Sequence, residues 1–292
     1  MKKINGTGLK IPSKNQSTVT MILRSLSADK MAYTSRGNEK NGNSFHYLHF
    51  FLYLCSKFFR KTKADMRNNI VYEDNHIIIV SKESGEIVQG DKTGDRTLSE
   101  TVKAYIKEKY HKPGEVFLGV CHRLDRPVSG LVVFARTSKA LTRLNKMFAE
   151  GKVHKTYWAI VPLRPIDEAA TLEHWLVRNE QQNKSYAYDR EVPGSKKAIL
   201  NYHVVSRGDR YQMVEVELLT GRHHQIRCQL SKIGIPIKGD LKYGSPRSNP
   251  DGSISLLSRR VEFVHPVSKE LIVAEATIPD DNLWKALNPE GR

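Results

Sequence analysis

The chain of 292 residues carries 47 Lys and Arg against 31 Asp and Glu, a net charge of +16, with 39% hydrophobic residues and three cysteines. This suits a soluble globular protein of one or two domains. The 19 glycines and 12 prolines exclude a collagen-like chain, and Cys55, Cys121 and Cys228 stand too far apart for a disulfide framework or a CxxC zinc site. A reducing compartment is expected, and the cationic excess points to a polyanionic partner, because Lys and Arg neutralise phosphates.

The excess charge is concentrated at the start. Residues 1–65 hold 12 Lys and Arg against only Asp29, Glu39 and Asp65. This segment has no helical or strand period and runs into the aromatic stretch Phe45 to Cys55, which is shorter than the roughly 20 apolar residues a bilayer span needs and lies too deep for a signal peptide. Three readings stand: a basic RNA-binding arm, a membrane-surface helix through residues 45–59, or sequence upstream of a functional start at Met66. The last is preferred, because a strand-like run, Asn69 to Tyr72, opens the globular pattern just after Met66. The expected division is therefore a basic segment over 1–65, either a disordered extension or upstream sequence, and one globular domain over 66–292.

Strands are expected at Asn69–Tyr72, Ile77–Val80, Leu131–Phe134, Tyr157–Val161, Ala198–Val205, Tyr211–Leu219 and Leu271–Ile278 from apolar runs rich in β-branched residues. The link Arg207 to Arg210 makes the fifth and sixth an antiparallel hairpin. Thr97 and Glu100 have capping-box spacing, ahead of a stripe of Leu98, Val102, Tyr105 and Ile106. A second helix is expected over Ser138–Glu150 with Gly151 as its stop, and a third over Gln225–Lys232 before Gly234. Strands outnumber helices without βαβ alternation, so the fold class is α+β: a largely antiparallel mixed sheet with a few flanking helices.

Three segments can carry chemistry. In Cys121 to Gly130 a carboxylate, Asp125, stands between Arg123 and Arg126 in a loop feeding a buried strand; neighbouring cations keep such an acid ionised, although surface ion pairs alone would give the same pattern. Tyr157 and Trp158 point to opposite faces of their strand, so one ring can sit in the core while the other lines a site. Thr220 to Arg227 gathers polar donors where a strand ends and a helix begins. The pair His223 and His224 has no Asp, Glu or Cys at ligand spacing nearby, so no metal is expected. The loop from Gly234 to Gly244 reads as structural, with Lys238 and Lys242 within reach of phosphates.

In this order the segments resemble the RluA family of pseudouridine synthases. The resemblance rests on Tyr72 to His76 with Val80 to Lys82, His122 to Asp125 with Ser129 to Leu131, and Lys155, Tyr157, Ala159 and Val161. It continues through Thr220 to Arg227, Pro236 to Gly244, and Phe263 with His265 and Pro266. It covers residues 70–280 and none of 1–65. It implies isomerisation of uridine to pseudouridine in structured RNA, ribosomal RNA or tRNA, without cofactor or metal, by a cytoplasmic monomer that binds RNA and no membrane. It makes Asp125 the catalytic aspartate, Tyr157 the ring packed on the target base, and Arg227 the partner of the aspartate. His122, Arg123, Arg126, Arg222, His224 and Gln225 become substrate-binding residues.

Two departures stand out: Glu83 replaces the usual proline of the first motif, and His223 replaces a commoner Thr or Ser. The small accessory RNA-binding domain that many members carry has no counterpart here, so substrate selection falls to basic surface such as Lys184, Arg190, Lys196, Lys197 and Arg247. A catalytically idle RNA-binding protein of the same fold is the alternative.

Overall fold

The computed structural model describes residues 69–90 and 94–291. All of them belong to the second of the two units into which the chain divides, Arg60–Arg292. The expectations for residues 1–65, including the membrane-surface reading of 45–59 and the start at Met66, lie outside the described residues.

Eleven strands form one sheet: β1 (Ile70–Glu73), β2 (Ile77–Lys82), β3 (Gly119–Val120), β4 (Ser129–Ala135), β5 (His154–Pro162), β6 (Ala169–Asn179), β7 (Lys184–Tyr188), β8 (Lys196–Arg207), β9 (Tyr211–Leu218), β10 (Leu256–Val264) and β11 (Leu271–Glu275). The order is β1-β2-β4-β10-β5-β9-β8-β6-β7, with β3 on β4 and β11 on β10. Every pairing is antiparallel except β4 with β10, which is parallel and short: Ser129 opposite Leu257 and Gly130 opposite Ser258. Beyond these two pairs β4 turns to β3 and β10 turns to β11.

Strand alternation sends side chains to two apolar layers. One layer gathers Ile78, Val80, Val132, Tyr157, Ala159 and Val216 under helices α1 (Leu98–Lys109) and α3 (Gln225–Lys232). The other gathers Ile77, Ile79, Val133, Trp158 and Ile160 under α2 (Ser138–Ala149) and α4 (Asn282–Leu287). Tyr157 and Trp158 thus part to opposite faces as expected. Both are buried, and Trp158 Nε1 donates to Glu215 Oε2 across β9 at 2.7 Å.

The three expected helices form. Thr97 closes a reciprocal capping box with Glu100 on α1, and Thr137 caps α2 through the Ala140 amide. Strands β3, β6, β7 and β10 and helix α4 are additional to the expected elements. Among the described residues no helix is long and apolar enough to cross a membrane.

Gly130 allows the parallel joint. Its φ is +111°, and a Cβ there would fall 2.6 Å from the Ser258 backbone nitrogen and closer still to its carbonyl oxygen. The chain just ahead of this joint carries Asp125.

Candidate active site

Asp125 sits in the loop between β3 and β4, with its side chain 31% exposed. A buried amine fixes that loop from below. Lys82, at the end of β2 and 1% exposed, donates from Nζ to the carbonyl oxygens of Glu83 at 2.8 Å and Arg126 at 3.1 Å. Burial pulls its pKa down to about 8, opposed by the charges of Glu86 and Asp125. The Arg126 carbonyl also accepts from the Gly85 amide at 2.8 Å, and Arg126 Nε donates back to the Gly85 carbonyl at 3.1 Å. Gly85, at φ +89°, therefore holds the loop despite the missing proline.

Helix α3 brings the cation. Arg227 is buried and donates from Nη1 to Asp125 Oδ2 at 2.9 Å. Its other face meets Asp240 as a fork, Nε to Oδ2 at 2.7 Å and Nη2 to Oδ1 at 2.9 Å. The hydrogen bonds and charges of Asp240 and Asp125 hold the guanidinium protonated against the desolvation of its site.

His224, the residue before α3, adopts the left-handed conformation with φ +53° and so reaches Asp125 from a second direction. Its Nε2 lies 3.4 Å from Asp125 Oδ2 and its Nδ1 3.0 Å from the Tyr243 hydroxyl. That hydroxyl also accepts the Ser185 amide at 2.8 Å. Burial and the Arg227 cation push the pKa of His224 down to about 2, which keeps the ring neutral.

Asp125, His224 and Arg227 line a pocket of about 90 Å³ with Tyr157, Arg123 and Arg222, walled by Val128, Leu218 and Leu256. Burial, and then the charge of Asp125, lift the Tyr157 phenol to about 12, so it stays protonated.

Three expected site residues are engaged by other parts of the protein. His122 does not enter the pocket: it packs against Phe148 of α2, on the opposite layer, and its Nε2 accepts the Val133 amide at 2.9 Å. Burial, and then nearby Lys155, push its pKa down to about 3, so it is a neutral structural acceptor. Gln225 borders the pocket, but its Oε1 accepts from Thr220 Oγ1 and the Arg222 amide, both at 2.9 Å, and its Nε2 donates to the Ile199 carbonyl. Its amide ties the turn before α3 to β8. Arg126 pairs with Asp95, which offsets its charge. Among the basic surface residues, Lys197 is paired with Glu173 at 2.7 Å.

Asp240, Tyr243 and Lys82 are the site residues that motif reasoning left in structural segments. The glycines around Asp240 and Tyr243 marked a loop, and a lysine on a strand gave no sign that it would be buried. Among the described residues no group of three or more His, Cys, Asp or Glu gathers as a metal-ligand set.

Comparison with known proteins shows the family. The RNA pseudouridylate synthase family matches residues 76–232. A Bacillus subtilis protein, named as the uncharacterised RNA pseudouridine synthase YhcT, is 33% identical over 223 residues, 73% of this chain and 69% of its own. The Pseudomonas aeruginosa ribosomal large subunit pseudouridine synthase D is 32% identical over 236 residues, 75% and 71% of the two chains. The solved structure of human RNA pseudouridylate synthase domain containing 4 shares the fold, with a TM-score of 0.65, 21% identity, and coverage of 82% of this chain and 98% of that one. The chain belongs to the RNA pseudouridine synthase family, in its RluA-type branch, and is an isomerase of uridine in RNA.

Proposed function

We propose that Asp125 is the catalytic carboxylate of this isomerase and that it acts, with no cofactor, on uridines of structured ribosomal RNA or tRNA. The observation that carries the reading is one carboxylate held 2.9 Å from a buried cation, in a pocket walled by Tyr157. In the reaction the bond from the sugar C1′ to N1 of uracil breaks and a bond from C1′ to C5 forms. The hydrogen on C5 leaves as a proton, and N1 takes one up.

Arg227 and His224 both address Oδ2 of Asp125. Oδ1 then has no partner among the described residues and is left to the substrate. The Arg227 hydrogen bond fixes the plane of the carboxylate. Tyr157 packs on the flipped uracil and offsets part of the unstacking cost, about 1 to 3 kcal/mol for a stacked base. Arg123 and Arg222, at the pocket rim, take phosphates. The name of the Pseudomonas relative favours ribosomal RNA. The reading takes the enzyme to be a cytoplasmic monomer.

The test is tritium release from ribosomal RNA and tRNA transcripts labelled at uridine C5, comparing the full chain with Asp125→Asn. Release by the first and none by the second is expected. Equal RNA binding by both proteins with no release from either would instead make this a binding module.

A further inference from the structure

Beside the pocket at Tyr157 lies a second cavity of about 420 Å³ that shares Arg123, Asp125, His224 and Arg227 with it. The first, at about 90 Å³, is small against the ~300 Å³ or more of ordinary ligand sites, so it accepts the base end of a nucleotide and little else. The second has room for a further nucleotide. Its floor includes His223, whose ring stacks on His224 at 3.8 Å between centroids. Its far wall is made by Arg178 near the end of β6, Asn183 in the β6–β7 turn and Lys242 in the 3-10 turn Leu241–Tyr243.

Several exposed cations elsewhere on the domain meet acids, among them Arg207 with Glu168, Lys232 with Asp189, Lys109 with Glu73 and Arg260 with Glu262. At this cavity Arg123 and Arg178 make no ion pair among the described residues. Lys242 donates only to the carbonyl oxygens of Gln182 at 3.3 Å and Asn183 at 3.0 Å, which leaves its charge uncompensated. The one acid lining this cavity among the described residues, Asp125, is held by Arg227, so Arg123, Arg178 and Lys242 are left to a ligand, and cations gathered in a concavity fit a phosphate.

We propose that the second cavity seats the nucleotide adjacent to the target uridine, with its phosphate clamped between Arg178 and Lys242; that the occupant is RNA rests on the isomerase reading above. The clamp gives the enzyme hold of the strand on one side of the flipped base, so that binding energy remote from the reacting bond orients it.

The experiment measures the affinity of the full chain for a fluorescein-labelled oligouridylate across a salt series. Arg178→Gln and Lys242→Gln each weaken binding roughly fivefold and each lower the slope of log affinity against log salt by about 0.7, the value for one phosphate contact on a single strand. Lys242→Arg restores the slope, while Arg207→Gln, at a paired surface site, leaves affinity and slope unchanged. Thermal unfolding of Arg178→Gln matches the parent, because the side chain is exposed and unpaired among the described residues.

Unchanged slopes in both glutamine variants overturn the proposal, as does an equal drop in Arg207→Gln, which would mean diffuse attraction. The binding result is read independently of tritium release. Clamp-dependent binding without any isomerisation would therefore sink the catalytic reading and leave the clamp standing.

Discussion

Asp240 grips Arg227 through two near-parallel hydrogen bonds of 2.7 and 2.9 Å while almost wholly buried. The fork fixes the plane of the guanidinium, and the third contact, to Asp125, follows from that plane. Asp240 never reaches the pocket, so its effect on the reaction passes through Arg227. Asp240→Asn is expected to lower kcat by roughly a hundredfold in the tritium assay with KM for RNA nearly unchanged, since the cost of a small misplacement falls on the chemical step. It also leaves a buried cation with a weakened partner, costing about 3 kcal/mol in denaturant unfolding. Asp240→Glu, which keeps the charge, should recover part of the stability and little of the rate.

Lys82 offers the opposite combination. Its ammonium is buried with carbonyl oxygens as hydrogen-bond partners; an apolar side chain of similar shape relieves the cost of desolvating the amine and leaves two acceptors short of a donor, two effects that oppose each other. Lys82→Met should therefore keep the melting temperature, yet loosen the Arg126 carbonyl and with it the loop carrying Asp125. Faster hydrogen exchange at the Val128 amide, which is bonded to the Asp125 carbonyl, together with slower isomerisation, is the expected pair of results. Exchange and rate both at parental values would refute the anchoring role.

Gly130→Ala tests the parallel joint. The added methyl meets Ser258 backbone on a residue at positive φ, and neither can relax without separating β4 from β10. A loss on the order of 3 kcal/mol or more is expected in chemical denaturation. Gly85→Ala, at positive φ but with open space around the position, should cost only about 1 kcal/mol.

Acid should destabilise the fold through its buried neutral histidines. The pKa of His122 falls to about 3 and that of His224 to about 2, both well below their ordinary value. In the unfolded chain both rings take up a proton near pH 6.5, whereas in the native state they do not until far lower. The unfolded state therefore binds more protons across roughly pH 6 to 3, and stability present above that window is lost as pH falls through it. Each ring contributes a slope of about 1.4 kcal/mol per pH unit. His122→Gln, which keeps an acceptor for the Val133 amide, should reduce the measured slope by that amount. An identical slope in the variant would contradict the assignment.

The strands and helices that the sequence made legible are those whose inward positions are mainly apolar, such as β4, β5 and α1. Strand β10 was not, because Arg259 and Arg260 interrupt its pattern. The register shifts between Ser258 and Arg260, and Arg259 is buried over the Trp158 ring, with its guanidinium on the Ala276 carbonyl and Glu290. In β6 an inward position is filled by His174, which bonds Gln229 of α3, so polar residues fill part of the buried face and hide the period. Asp125, Tyr157 and Arg227 were legible as a set from motif order. The support beneath them was not, since Lys82, Asp240 and Tyr243 act through burial and long-range contacts that spacing along the chain does not encode.

The place of β10 in the sheet sets an order of assembly. It lies between β4 and β5, so the block β1-β2-β4 and the block running from β5 to β7 are joined by a strand that begins at Leu256. A ribosome that has made the first 250 residues has made Asp125, Tyr157, Arg227 and Asp240, but not the strand that unites the two blocks. Such long-range pairing is slow and comes late. The nascent chain therefore carries its chemistry in two unconnected pieces, and a chain stopped at residue 250 should neither unfold cooperatively nor release tritium. The enzyme becomes competent only once β10 has taken its place between β4 and β5.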